Sequence, residues 1–392
     1  MSSTLEEHQV VVSGAGVVSA YGVGVIDFQM GLLSGRAGVG VREASSSPLR
    51  PMDRHRVLGQ AEASFAKAAP PAVGEEARVA ELAAFLAFMD ADAGSACPGA
   101  EVLGIAMSGH YSGLQDYAEQ FWAGACEPDG MVSATRGPRT GFNATAGHLG
   151  IGLSAEGPNV TLVNGSIGGI DALIYAADAL NLGRADAMIV CGVDRVPGVM
   201  VPLLRRACGT LPARPFDRLR DGPTAGDGAV ALLLERRRPG GGRPGGRRIE
   251  IAGAATASAT GVRDASRLAM RKALALAECE PAEVRAVIAG ANGSREGDSA
   301  EALAIAEAVS EGIPTTAVRG GIGDCPASGA LAQVATGVLS IESGALPPTP
   351  GFEDPDPEIP VSVSRHPRPI DGGPVLVNSW DEGGVAGSVL LR

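Results

Sequence analysis

The 392-residue sequence predicts an α/β protein built as two successive halves of similar construction. Three observations predict it. Apolar, β-branched runs alternate with Ala- and Leu-rich stretches of helical period along most of the chain, the pattern of strands covered by helices on both faces of mostly parallel sheets. Glycine is abundant, at 56 residues, and aromatics make up only 4%, which suits helices packed closely on sheets. The alternation breaks once, in RRRPGGGRPGGRR at 236–248, where six arginines, five glycines and two prolines leave nothing apolar to bury.

The first half opens with VVVSGAG at 10–16, an apolar run expected to be a buried strand ending in a tight glycine turn. A helical pattern follows through Phe28, Met30 and Leu33, and another covers 77–92. EVLGIAMSG (101–109) reads as a buried strand and YSGLQDYAEQFW (111–122) as the helix after it. NVTLVNG (159–165) is a strand and GGIDALIYAADALNLG (168–183) a helix stopped by Gly183. ADAMIVCGVD (185–194) and GAVALLLERR (228–237) are strands.

Beyond the Arg-Gly-Pro segment, RIEIAGAATAS (248–258) is a strand, RLAMRKALALAEC (267–279) a helix and VRAVIAGANG (284–293) a strand. SAEALAIAEAV (299–309) and SGALAQVATGVLSIESG (328–344) are helices, and VLVNSW (375–380) and VAGSVLLR (385–392) are closing strands. The expected organisation is therefore 1–238, a connecting loop at 239–247, and 248–392.

Composition excludes several function classes. A formal net charge of −12 argues against a nucleic-acid surface and an anionic membrane, and few aromatics are available for stacking on bases. No run of about 20 apolar residues lacks charges or glycine breaks. The N-terminus is acidic where a signal peptide is basic. Six scattered cysteines form no CxxC pair, which excludes the usual zinc spacings and points to reduced thiols in a cytoplasmic protein. No metal or cofactor is expected. SGAGVVS (13–19) imitates part of a dinucleotide fingerprint, but its third glycine position is Ser19, and no suitably placed acidic residue follows.

Five segments in order carry a resemblance. VVVSGAGVVSAYGVG, the stretch 157–194, RPFDRLRDGPTAGDGAVALLLE (214–235), IPTTAVRGGIGDCPASGALAQ (313–333) and VLVNSWDEGGVAGSVLLR resemble the ordered motifs of β-ketoacyl synthases. The resemblance implies a thiolase-like fold of two duplicated α/β halves in alternating helix and sheet layers. It also implies a chemistry: a cysteine thiolate at a helix N-terminus accepts an acyl chain, and two histidines stabilise the enolate formed from malonyl.

Located by their neighbours, those positions hold other residues here. The nucleophile position is Ser166, the two histidine positions are Asn292 and Asp324, and the nearby lysine position is Arg319. Serine needs a general base, and none of the five histidines (8, 55, 110, 148, 366) lies between 149 and 365. Asp324 sets a carboxylate where enolate charge should develop. Cys325, followed by Pro326, reads as a buried small residue. Ser166 is expected to cap the helix that follows; an acyl-accepting role is the alternative.

Loss of the triad is a rule in one branch of the family, the chain length factors (KS-beta subunits) of type II polyketide synthases, to which SIGGIDAL is similar. The implied function is a non-catalytic subunit that pairs with an active ketosynthase, meets chains carried on acyl carrier protein, and shapes their tunnel. The alternative is a free-standing acyltransferase or hydrolase using Ser166. In chain length factors the helix matching HYSGLQDYAEQFW carries tunnel-gating residues. Spacing puts Gly113, Asp116 and Gln120 on one helical face with Tyr117 beside it, small and polar residues that would leave a more open, wetter tunnel.

Overall fold

A computed structural model describes residues 9–38, 74–91, 102–126, 130, 134, 136–209, 212–237 and 249–392. The expected connecting loop 239–247 lies outside the described residues, as do His8, His55 and Cys97.

The strands are β1 (Val10–Ser19), β2 (Gly22–Val23), β3 (Leu103–Ser108), β4 (Asn159–Leu162), β5 (Ala187–Asp194), β6 (Gly228–Arg236), β7 (Ile249–Ser258), β8 (Ala286–Ala289), β9 (Pro314–Ala317), β10 (Ala345–Leu346), β11 (Ser362–Val363), β12 (Arg368–Pro369), β13 (Val375–Asp381) and β14 (Val385–Leu391). The helices, numbered in chain order, are α1 (Val25–Leu33), α2 (Glu75–Ala91), α3 (Leu114–Cys126), α4 (Ala144–Gly152), α5 (Gly168–Asn181), α6 (Val201–Ala207), α7 (Val262–Leu276), α8 (Arg295–Ala308), α9 (Arg319–Ile322) and α10 (Gly329–Ser343).

The main sheet runs β4-β3-β5-β6-β1-β7-β14-β13-β8-β9-β11, with β2 hairpinned onto β1. Its two outer regions are parallel, but every pairing from β5 across to β13 is antiparallel. The expectation of mostly parallel sheets is therefore corrected to a mixed one. A strand buried on both faces reads as a continuous apolar run whichever way its neighbours point, so the sequence pattern does not carry direction. The link between β1 and β7 is short, pairing Val11 with Glu250 and Val12 with Ile249.

Alternation along the strands builds the layers. Val230, Leu232 and Leu234 of β6 and Met188 and Val190 of β5 face a core shared with α5 and α10. Their neighbours Ala229, Ala231, Leu233, Ile189 and Cys191 face a second core under α2 and α4. On the other side, Ala286 and Ile288 of β8 and Val375 and Val377 of β13 point to α5 and α10, while Val287, Ala289 and Leu376 point to α7 and α8. Helices α5 and α10 thus form a central layer between two sheet regions, with outer helices beyond each. Helix α10 is buried along nearly its whole length, from Gly329 to Ser340, and ends on Gly344 in the left-handed conformation, at φ 65°.

Strand β1 runs on to Ser19 instead of turning at its glycines. A Cβ at Gly14 or Gly16 would collide with the Ala87 or Ala83 carbonyl of α2, so these glycines let helix and strand approach closely. That explains the fingerprint-like SGAG. The helix expected over 111–122 spans Leu114–Cys126. Among the described residues, no helix is long and apolar enough to cross a membrane.

Candidate functional site

Ser166 sits in a one-turn 3-10 segment, Gly165–Ile167, between β4 and α5. It is buried but does not cap the helix as expected. The N-cap of α5 is Ile167, with no side-chain cap, because the 3-10 turn carries the chain one step further before the helix begins. Strand β13 holds the Ser166 peptide instead: the Ser379 hydroxyl donates to its carbonyl at 2.8 Å, and its N–H donates to Asp381 Oδ2 at 3.4 Å.

The other three diagnostic positions meet at the same place. Asn292 follows β8, while Arg319 opens α9 and Asp324 follows it. Arg319 Nη1 donates to Asp324 Oδ1 at 2.7 Å, and Asn292 Nδ2 donates to Asp324 Oδ2 at 3.2 Å. Arg319 Nη2 donates to Ser379 Oγ at 2.8 Å and to Gln333 Oε1 at 3.4 Å. A continuous chain of hydrogen bonds thus runs Asn292–Asp324–Arg319–Ser379–Ser166. Gln333 extends it to the Asn378 carbonyl, and Asn378 itself bonds Glu301 and Ser388.

This arrangement changes the chemistry expected of Asp324. Its carboxylate is not a lone negative charge, because Arg319, only 1% exposed, neutralises it as an ion pair. The pair and its satellites engage several of the donors nearby: Asn292 donates one of its two side-chain N–H groups to Asp324, and Arg319 Nη1 and Nη2 donate to Asp324, Ser379 and Gln333, while Arg319 Nε is buried without a partner. Cys325 is buried, and desolvation first, then the surrounding carboxylates, push its thiol well above the usual range. Its burial fits the small core residue expected from the sequence.

Two buried carboxylates brace the loops. Asp194, at the end of β5, accepts from Ala327 N–H, Ser328 N–H and Ser328 Oγ at 2.7–3.0 Å. Asp298 accepts from the N–H groups of Phe216, Asn292 and Gly293. Burial pushes both up to about 7 in spite of these donors.

Sequence reasoning missed His110. It follows β3, stacks edge-on against Tyr111 with ring centroids 4.4 Å apart, and lies near enough to Asp324 and Asp381 for both to act on it. Burial lowers its proton affinity and the two carboxylates oppose that shift. The available signal was its place at the C-terminal end of a strand, where α/β sheets gather their functional groups.

Of the residues expected at a tunnel face, Asp116 and Gln120, with Tyr117 beside them, lie on α3. Gly113 precedes α3 with φ 73°, and a Cβ there would sit 2.7 Å from the carbonyl oxygens of Arg139 and Thr140. It is a turn residue ahead of the helix and not part of it. Asp116 turns to Arg139, with a closest approach of 4.0 Å, and burial raises its carboxyl while Arg139 opposes. Gln120 is buried, whereas Tyr117, Phe121 and Trp122 are more than half exposed.

The layered fold is that of a thiolase-like protein, and Ser166, Asn292, Asp324 and Arg319 meet in one hydrogen-bonded cluster within it. Residues 7–239 match the β-ketoacyl synthase N-terminal domain and residues 247–353 its C-terminal domain, so the chain belongs to the β-ketoacyl synthase family. Among its relatives is a putative polyketide β-ketoacyl synthase 2 of Streptomyces coelicolor, 32% identical over 64% of this chain. That match spans 62% of the relative, just under two thirds of its length. The ketoacyl synthase beta subunit of the tetracenomycin polyketide synthase from Streptomyces glaucescens is 29% identical over 98% of both chains. The solved ishigamide ketosynthase/chain length factor superposes with a TM-score of 0.85 over 98% of both chains at 23% identity, a likeness of fold.

Proposed function

We propose that this chain is a non-catalytic chain length factor: it pairs with an active ketosynthase, meets acyl chains carried on acyl carrier protein, and shapes their tunnel in a cytoplasmic type II polyketide synthase. The observation that carries this reading is the hydrogen-bonded network that joins Asn292, Asp324 and Arg319 to one another and, through Ser379, to the Ser166 backbone carbonyl. The full-length similarity to a ketoacyl synthase beta subunit supports it. The exposed Tyr117, Phe121 and Trp122 on α3 supply an apolar face for the partner, with Tyr117 as the proposed gate and Asp116 and Gln120 as its backing. We take the chain as two ketosynthase-like halves, 1–238 and 248–392, joined by 239–247. Among the described residues no general base is hydrogen-bonded to the Ser166 hydroxyl, which weighs against a serine acyltransferase.

The test is condensation from acyl and malonyl carrier-protein thioesters. The purified chain should form no carbon–carbon bond, while its complex with a ketosynthase bearing Cys and both His should. Ser166→Ala should leave the output of that complex unchanged. Bond formation by the chain alone overturns the reading.

A further inference from the structure

We propose that Asp381 is a built-in anion that occupies the place where an acyl carbonyl oxygen would be polarised, so the site is silenced twice: by loss of its nucleophile and by capture of its donor. This goes beyond chain-length control and holds whether or not the chain pairs with a ketosynthase. In acyl transfer the N–H at the nucleophile position, at the foot of a helix, is a natural donor for the charge that grows on the carbonyl oxygen. Here the Ser166 N–H, at the foot of the 14-residue α5, donates to Asp381 Oδ2. The other carboxylate oxygen accepts from Gly383 N–H at 3.1 Å, which fixes the group from both sides.

Strand geometry explains the placement. Ser379 and Asp381 are two apart on β13 and point to the same face, so the strand takes both the C=O and the N–H of Ser166. Gly165 leaves the room: a Cβ there would collide with Asp381 Oδ2. A neutral thioester oxygen competes poorly with a carboxylate already seated on that amide.

The test restores a nucleophile and asks whether Asp381 still silences it. A carboxylate beside a thiol disfavours the thiolate, the form that reacts. Full-length Ser166→Cys, Ser166→Cys with Asp381→Asn, and Ser166→Cys with Asp381→Gly are treated with iodoacetamide at neutral pH. Thiolate attack forms a C–S bond and expels iodide; peptide mass mapping separates position 166 from the exposed Cys126. Each double variant should alkylate at position 166 roughly tenfold faster than the single one, the effect of about one pKa unit. Each should also take an acetyl group from acetyl-pantetheine, the pantetheine thiol leaving, where the single variant does not. Asp381→Asn keeps the acceptor for Gly383 and decides the matter if Asp381→Gly fails to fold. Equal rates and equal acetylation in the single and Asn variants overturn the proposal.

Discussion

Arg319 depends on a carboxylate five residues away in sequence and on a serine sixty residues away. Removing Asp324 takes from the buried Arg319 guanidinium its hydrogen-bonded carboxylate, and breaking a buried pair from one side costs roughly 3–5 kcal/mol. The Asp324 side chain is 19% exposed, so Asp324→Ala should fall near the lower end, about 3 kcal/mol by urea denaturation. Adding Arg319→Met should restore most of that loss, since both charges are then gone. The flanking motifs single out Ser166, Asn292, Asp324 and Arg319 in the sequence, and the fold brings these four residues together. Their partners were not legible there, because Ser379 and Asp381 reach Ser166 only through the fold. His110 escaped notice for the same reason: it enters the site from the N-terminal half.

Helix α3 shows how one backbone angle decides what an element presents. The polar and aromatic period of 111–122 was readable, but not that Gly113 sits at φ 73° beneath two carbonyl oxygens. Gly113→Ala should therefore cost about 1–3 kcal/mol in thermal or denaturant unfolding. It should leave the product length of a co-expressed ketosynthase complex unchanged. Tyr117→Ala should do the opposite, folding normally while the mass profile shifts to longer chains. Its ring is mostly exposed in the single chain and contributes little to folding there.

Over the whole molecule, sheets covered by helices on both faces were legible from the strand–helix alternation, and the alternating layers from the family resemblance. Strand direction was not, since apolar runs look alike in either sense. Stability should also carry a pH signature. Asp194 and Asp298 titrate near 7 when folded, against an ordinary carboxyl value of 3.8. The folded state thus holds more protons than the unfolded one between those values, and their joint contribution falls as pH rises from about 4 to about 7. Melting temperatures at pH 5 and pH 7.5 should show that decline, and Asp194→Asn should flatten it.

Among the described residues the two sheet regions pair at two positions, Val11 with Glu250 and Val12 with Ile249, and both lean on the same pair of central helices. Helix α5 comes from the first half and α10 from the second. Neither half can close its own interior without borrowing the other's helix. Separated fragments should therefore complement one another. Polypeptides 1–238 and 248–392, synthesised together, should co-purify with the secondary structure of the intact chain, while each made alone should precipitate. Soluble, folded fragments that ignore one another would show that the central layer does not hold the molecule together.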